Sequence, residues 1–247
     1  MSKRMIVLLA LALPAWGPSA FAADLPAKMP VKAPVVAPFT WAGPYAGVNF
    51  GYSWGDWDTA ITIPGGSYAL SPNVDGWLAG LQIGRNWQNG NWVFGLEADI
   101  QITGEDDRDS PGTGGSTAIT SSTVEWDFPW FATLRARLGH VYGDQGRHLL
   151  YVTGGAAVGK VEFDYLSAPP TIAISGDRTR WGWTIGGGWE YAYNHNWSFK
   201  LEYLYLDLGT ASFTGTPGAS ASIDVKDHVV RAGFNYRWGD APVKVKY

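Results

Sequence analysis

Apolar side chains alternate with small or polar ones along eight separate stretches of the chain. A period of two residues is typical of β-strands whose two faces meet different surroundings. In the first stretch, residues 45–55, one face carries glycine, asparagine and serine and the other carries Ala46, Val48, Phe50, Tyr52 and Trp54. The same alternation predicts strands at residues 77–87, 92–103, 130–138, 149–159, 183–193, 197–206 and 229–238. No apolar run of about 18 residues follows the signal-like N-terminus, which excludes a membrane protein built of helices.

The connections between these strands alternate in length. Short turns rich in glycine, asparagine and aspartate occupy residues 88–91, 142–147 and 194–196. Long segments rich in glycine, serine, threonine and proline occupy residues 56–75, 104–123, 164–179 and 207–226. Short turns at one end and long loops at the other are typical of transmembrane β-barrels. The sequence therefore predicts an all-β fold, an eight-stranded antiparallel up-and-down transmembrane barrel. Pro129, near one end of the fourth strand, is expected to mark a bulge or the strand boundary.

A soluble barrel with an apolar interior is the alternative, and composition argues against it. Only 16% of the residues are charged, whereas 32 of 247 are glycine. An eight-stranded barrel leaves an interior just wide enough for side chains, so small residues suit its inner face. We therefore expect the apolar face to point outward into lipid. A formal net charge of −4 argues against nucleic-acid binding, and the absence of cysteine excludes disulfides and thiol chemistry.

Tryptophan is concentrated near the predicted strand ends, where aromatic girdles of membrane barrels lie. A girdle would contact outer-membrane lipid and lipopolysaccharide, whereas a soluble protein would use these rings to cap its core. The expected girdle residues are Trp54, Trp77, Trp87, Trp92, Trp130, Trp183, Trp197 and Trp238.

Charged residues at inward mid-strand positions need partners, because an unpaired charge in a narrow lumen costs several kcal/mol. The acids are Glu97, Asp99, Glu190 and Glu202, and the bases are Arg135, Arg137, Lys200, Arg231 and Arg237. Neighbouring strands should place Glu97 and Asp99 beside Arg135 and Arg137, and Glu202 beside Arg231. We expect an ionic network that plugs the lumen. Gating of a small pore and acid–base catalysis are alternative interpretations.

The N-terminus has the pattern of a secretory signal. Lys3 and Arg4 precede an apolar stretch of about 11 residues, too short for a membrane anchor of about 20, and Ala20-Phe21-Ala22 supplies a cleavage site. The expected organisation is a signal peptide at residues 1–22, a proline-rich periplasmic linker at 23–40 and a barrel domain at 41–247.

Several segments together resemble those of the small outer-membrane β-barrel proteins of alphaproteobacteria, which include surface antigens and haem-binding proteins and are distantly similar to the OmpA-type barrel. These segments are GPYAGVNFGYSWG, NWQNGNWVFGLEADI, LRARLGHVYG, LLYVTGGAAVG, NHNWSFKLEYLYLDLG and VVRAGFNYRW. The resemblance implies an outer-membrane barrel with both termini in the periplasm, long loops outside and no enzymatic activity. No residue pattern in the sequence indicates a catalytic or metal site, so no cofactor is expected. It also implies that the barrel assembly machinery reads a C-terminal aromatic residue, either Trp238 or Tyr247.

Three functional hypotheses follow. The leading one is a structural surface protein whose long loops are free to meet an extracellular ligand. The second is haem capture, for which His228 is the candidate because His140, His148 and His195 lie at the turn end, or a narrow diffusion pore. The third, a lipid-modifying enzyme, is disfavoured because no histidine has a serine two positions further on. The acidic segment of Glu105, Asp106, Asp107 and Asp109 could hold divalent cations that bridge lipopolysaccharide phosphates, although a solvated loop explains it equally well.

Overall fold

The computed structural model describes residues 39–109, 121–168, 171–216 and 218–238. The expected signal peptide, most of the linker and Tyr247 lie outside these ranges. The strands are β1 (Gly43–Ile63), β2 (Gly66–Leu70), β3 (Asn73–Asn89), β4 (Trp92–Asp109), β5 (Ser121–Tyr142), β6 (His148–Ala168), β7 (Ile172–Ala192), β8 (Trp197–Thr214) and β9 (Ser220–Arg237), with one 3-10 turn at Asp144–Gly146.

The sheet closes on itself. From β3 to β9 consecutive strands pair antiparallel, β1 pairs with β2 and β3, and β1 also pairs with β9, from Tyr45 opposite Arg237 to Thr62 opposite Ser220. The short β2 and the longer β3 both run beside β1 and together form one interrupted strand. The predicted eight-stranded up-and-down barrel is therefore confirmed. No helix in the described part of the chain is long and apolar enough to cross a bilayer.

The apolar faces of the predicted strands point outward, as expected for a barrel in lipid. Phe50, Leu81 and Leu134 are each more than 60% exposed. A soluble barrel would bury these side chains, because large exposed apolar surfaces are costly in water. This orientation confirms the choice of a membrane barrel over a soluble one.

The expected tryptophan girdle falls into two rims. Trp54, Trp77, Trp130 and Trp183 lie at the end away from the short turns, and Trp87, Trp92, Trp197 and Trp238 lie near the turns. All are exposed except Trp130, which is half-buried. The strand portions between the two rims are the membrane-spanning segments.

The strands are much longer than predicted, and most of the expected long loops are wrong. Beyond the rim at Trp54 the strand alternation continues, but the apolar residues now lie on the inner face instead of the outer one. Trp57 and Ile61 point inward, whereas Phe50, between the rims, points outward. Strand β9 shows the same exchange, with Ile223 and Val225 buried and Phe234 exposed. We call these extended strand portions the collar. Its apolar face is inside, as in a water-soluble barrel, so the sequence pattern changes phase at the rim.

Irregular pairing is concentrated at the base of the collar. The register of β5 with β6 shifts between Asp127 and Trp130, which confirms the bulge predicted at Pro129. On the neighbouring ladder, the register of β4 with β5 shifts between Ile102 and Glu105. Bulges of this kind bend a strand and change the direction of its side chains. Here they coincide with the exchange of faces.

The charged barrel interior as the candidate functional site

The predicted charged residues lie on inward positions of adjacent strands. Glu97 on β4 faces Arg135 on β5, and Glu202 on β8 faces Arg231 on β9. Inward residues of neighbouring strands lie about 5 Å apart, so long charged side chains reach across the lumen as well as along the ladder. The barrel therefore concentrates acids and bases in one layer between the two rims.

Arg135 and Arg231 join three carboxylates. Arg135 lies 2.5 Å from Glu97, 2.8 Å from Asp99 and 3.1 Å from Glu202. Arg231 lies 3.1 Å from Asp99 and 2.6 Å from Glu202. Neither guanidinium is accessible to solvent. Each arginine is therefore dehydrated, and several charge-assisted hydrogen bonds offset the lost hydration.

Two further bases complete the layer on the turn side. Arg137 lies 3.3 Å from Glu97 and 2.8 Å from Glu190, and its guanidinium carbon is 3.9 Å from the centre of the Tyr151 ring. Lys200 Nζ lies 3.0 Å from Glu97 and 3.7 Å from Glu202. Four acids and four bases thus form one buried network of balanced charge.

Arg237 does not belong to this network, contrary to expectation. Within the described residues it forms no ion pair, and its Nη1 instead donates to the carbonyl oxygen of Thr40 at 3.0 Å. Its guanidinium carbon lies 4.9 Å from the Phe39 ring centre and 4.7 Å from that of Trp41. The last strand positions Arg237 at the barrel mouth, where it contacts aromatic rings of the preceding segment and interacts with Glu190 without a direct ion pair.

Neutral polar groups supply the remaining hydrogen bonds, and sequence reasoning did not assign them to the network. Tyr45 donates to Glu97 at 2.7 Å, Tyr151 donates to Glu202 at 2.8 Å, and Thr133 donates to Asp99 at 2.6 Å. Ser198 and Asn235 donate to Glu190 at 2.5 and 2.9 Å. All five residues occupy positions of the two-residue alternation that point into the barrel. This alternation is the sequence signal by which they can be recognised.

Glycine makes room for these long side chains. A Cβ atom added to Gly51 would lie 2.2 Å from the backbone carbonyl oxygen of Val230 and 2.7 Å from Cβ of Arg231, closer than real Cβ atoms approach. The absence of a side chain at Gly51 therefore lets β9 approach β1 and leaves room for the first atoms of the Arg231 side chain. This is the close-approach role of glycine in a strand.

Apolar layers cover the network on both sides. On the collar side, Trp57, Phe128 and Phe131 are buried, with the two phenylalanine rings stacked at 5.7 Å. On the turn side, Phe39 and Trp41 pack with buried Val93, Val141 and Leu149, and Trp41 Nε1 donates to the Gly146 carbonyl at 2.9 Å. Two residues of the expected linker, Phe39 and Thr40, thus contact the barrel mouth.

The histidines offer no grouped ligand set. His228 lies at the rim on the outer face, stacked on Trp54 at 5.6 Å, with Nδ1 2.7 Å from the Tyr203 hydroxyl. His140 and His148 contact aromatic rings at the turn end. No group of three or more potential metal ligands occurs within the described ranges.

The acidic segment after Thr103 is strand rather than loop, so the adjacent residues Glu105 and Asp106 point to opposite faces. Glu105 is buried inside the barrel, whereas Asp106 is exposed outside. Asp106 belongs instead to a row of directly opposed acids across five strands, with each member the cross-strand partner of the next. The row is Asp75, Asp106, Asp127, Glu162 and Asp177. Within the described ranges this row forms ion pairs with one cation, Lys160, whose Nζ lies 2.6 Å from Glu162 and 3.7 Å from Asp177.

A closed eight-stranded sheet with an apolar exterior between two tryptophan rims defines an outer-membrane β-barrel protein. The family model described as "Outer membrane protein beta-barrel domain" matches residues 9–237, and the chain belongs to that family.

Curated relatives agree with this assignment. The 31 kDa outer-membrane immunogenic protein of Brucella melitensis is 36% identical over 246 residues, which cover 94% of this chain and 99% of the relative. The 25 kDa outer-membrane immunogenic protein of Brucella abortus is 30% identical, covering 95% of this chain and 98% of the relative. Among solved structures, the outer membrane protein OprG of Pseudomonas aeruginosa matches the fold with a TM-score of 0.50 at 16% identity, covering 81% of this chain and 97% of that one.

Proposed function

We propose that this protein is a non-enzymatic structural component of the outer membrane whose lumen is plugged by the ionic network. The observation that supports this proposal is the sequence of layers along the barrel axis. The mouth at the turn end holds Phe39 and Trp41, the middle holds the buried ion pairs, and the collar holds a continuous apolar core. An ion or solute can pass only along a water-filled path lined by solvent-accessible polar groups. In each of the three layers the side chains inside the barrel are buried, so no layer offers such a lining.

Single-channel recording in planar bilayers tests the plug. We expect no conductance steps from the wild-type protein over a range of voltages. A matched porin preparation in the same bilayers serves as the positive control. Reproducible steps from the wild-type protein would contradict the plug and favour a narrow pore.

We further propose that the collar stands on the cell surface and that the short turns face the periplasm. The chain contains no cysteine, so single cysteines can be placed as reporters. Ser67→Cys lies in the collar and Asn89→Cys lies beside a short turn, and both positions are exposed. In intact cells we expect a membrane-impermeant maleimide to label only the Ser67 variant. Labelling of Asn89 alone would reverse the orientation.

The names of the relatives describe immunogenic proteins, and a surface collar would be accessible to antibodies in the same way. Its outer rim would contact lipopolysaccharide, and its tip is free to meet extracellular ligands. Haem capture has no supporting geometry in the described part of the chain, because the His228 ring is stacked on Trp54 at the outer face and its Nε2 lies 3.7 Å from Asp56 Oδ2.

A further inference from the structure

Two carboxyl groups are buried together where the collar begins, apart from the ionic network. Glu105 on β4 is inaccessible to solvent and Asp227 on β9 is 1% exposed. Both lie beyond the rim, since Glu105 pairs with Phe128 past Trp130, and Asp227 pairs with Gly55 past Trp54. They therefore lie at the boundary between the charged layer and the apolar core of the collar.

No base compensates these two groups. Neither forms an ion pair in the part of the chain that the structure describes, and the nearest network base on β9, Arg231, is engaged by Asp99 and Glu202. Glu105 accepts a hydrogen bond from Ser53, and Asp227 accepts one from the backbone N–H of His228 at 3.1 Å. Among the described groups, Glu105 Oε2 and Asp227 Oδ2 have no hydrogen-bond donor.

The surrounding side chains do not offer a counter-charge either. The inward neighbours are Trp57, Phe128, Leu206 and Val225, which are apolar or neutral. The titratable groups of the packed strands at this level point outward: Asp56, Asp75, Asp106, Asp127, Asp207, Lys226 and His228. Most of these are acids, and their charge adds to the cost of ionising the buried pair.

Glu105 and Asp227 lie within hydrogen-bonding reach of each other. A hydrogen bond between two carboxyl groups requires a proton on one of them, because an ionised carboxylate only accepts. Two like charges in so dry a site cannot both ionise without a large penalty. We propose that Glu105 and Asp227 hold a shared proton and act as a pH-sensitive latch between the membrane-spanning barrel and the collar, which loosens when the proton is lost.

The direction of the pH dependence follows from linkage. Burial raises the pKa of Asp227 to about 7, and burial together with the charge of Asp227 raises the pKa of Glu105 well above its usual range. In the unfolded chain both groups titrate near pH 4. The folded barrel therefore retains protons that the unfolded chain releases, and its stability falls as the pH rises from about 4 through 7 and beyond.

Isosteric neutral variants test this latch. We compare the unfolding midpoint of the refolded full-length protein in detergent from pH 5 to pH 9 with that of Glu105→Gln/Asp227→Asn. Relative to the double variant, the wild type should lose up to about tenfold in folding equilibrium constant per pH unit for each retained proton. Asp144→Asn is the control, because it removes an exposed carboxylate at the turn end of the barrel, away from the latch, and its profile should run parallel to that of the wild type. Parallel profiles for the wild type and the double variant would overturn the proposal.

Infrared spectroscopy gives a readout that a purely structural role would not change. In deuterated buffer at pH 6, the wild type should show the carbonyl stretch of a neutral carboxylic acid whose proton is protected from exchange by burial. This band should be absent from the double variant. This measurement needs only the folded wild type if the double variant fails to refold. Absence of the band from the wild type at pH 6 would also overturn the proposal.

Discussion

Arg231 Nη2 lies 2.6 Å from Glu202 Oε2, directly across the ladder between β8 and β9, and neither side chain is exposed to solvent. The attraction of such a pair is offset by the lost hydration of both charges. The two residues are therefore coupled. The loss of one should harm the barrel more than the loss of both.

Arg231→Met should destabilise the barrel by about 3–5 kcal/mol, because it leaves Glu202 and Asp99 with fewer partners in a dry lumen. Adding Glu202→Gln should restore part of this loss. Urea unfolding of the refolded protein, followed by tryptophan fluorescence, measures both effects. Arg85→Gln is the control, since Arg85 is exposed on the outer face near the turns. A cost below about 1 kcal/mol for Arg231→Met would contradict a tightly coupled network.

Trp41→Ala should cost about 3–5 kcal/mol, the usual range for removing a large buried aromatic side chain. Trp41 is fully buried, donates to Gly146 and lies beneath the Arg237 guanidinium. Trp197→Ala removes the same side chain from an exposed site at the same end of the barrel and should cost less. The temperature at which the gel-shifted folded form disappears reports both variants, and equal temperatures would show that the mouth packing contributes little.

Asp127→Asn should stabilise the collar by about 0.2–1 kcal/mol, because directly opposed like charges on neighbouring strands repel each other. Partial burial raises the pKa of Asp127, and the charges of Glu162 and Asp106 raise it further. The repulsion is absent below the unfolded pKa of about 4 and grows as the pH rises through the folded pKa. The gain should therefore appear at pH 7.5 and vanish near pH 3 in denaturant titrations. Asp144→Asn, at an exposed turn, should show no gain at either pH.

Gly51→Ala should destabilise the barrel by about 1–3 kcal/mol, since the new methyl group would overlap the backbone carbonyl oxygen of Val230 and the Cα and Cβ atoms of Arg231. Gly66→Ala provides the comparison, because a Cβ there would meet nothing closer than the Tyr68 hydroxyl at 3.4 Å. Unfolding midpoints of the two variants should differ by several degrees. Identical midpoints would mean that the backbones of β1 and β9 can move apart here at little cost.

The membrane-spanning half of this protein could be predicted from its sequence because its topology is local. In an up-and-down barrel, consecutive strands are neighbours, so Glu97 could be assigned to Arg135 and Glu202 to Arg231 without further information. Arg237 could not be assigned, because its contacts with Phe39 and Trp41 depend on how the preceding segment turns into the mouth. The sequence pattern carries no signal for that turn.

The collar could not be predicted from the sequence, for a different physical reason. A strand that stays in one environment keeps its apolar residues on the same face along its whole length. Here the strands extend from lipid into water, so the apolar residues lie on the outer face below the rim and on the inner face above it. The inward side chains of Trp57, Phe163 and Val225 keep the period of two in a new phase, interrupted by bulges near Pro129. Because the faces exchange, the sequence pattern predicts a long loop where Glu105 lies, although this residue is in a strand and its side chain is buried.

The ladder between Tyr45 and Arg237 joins the first strand of the barrel to the last. Until β9 has paired with β1, the first strand and the most recently added strand of the sheet each have an unpaired edge. Such edges associate readily with other chains. Contacts between residues so distant in sequence also form slowly. The polypeptide must therefore remain unclosed throughout its synthesis and export, and the step that completes the barrel is expected to limit how fast it matures.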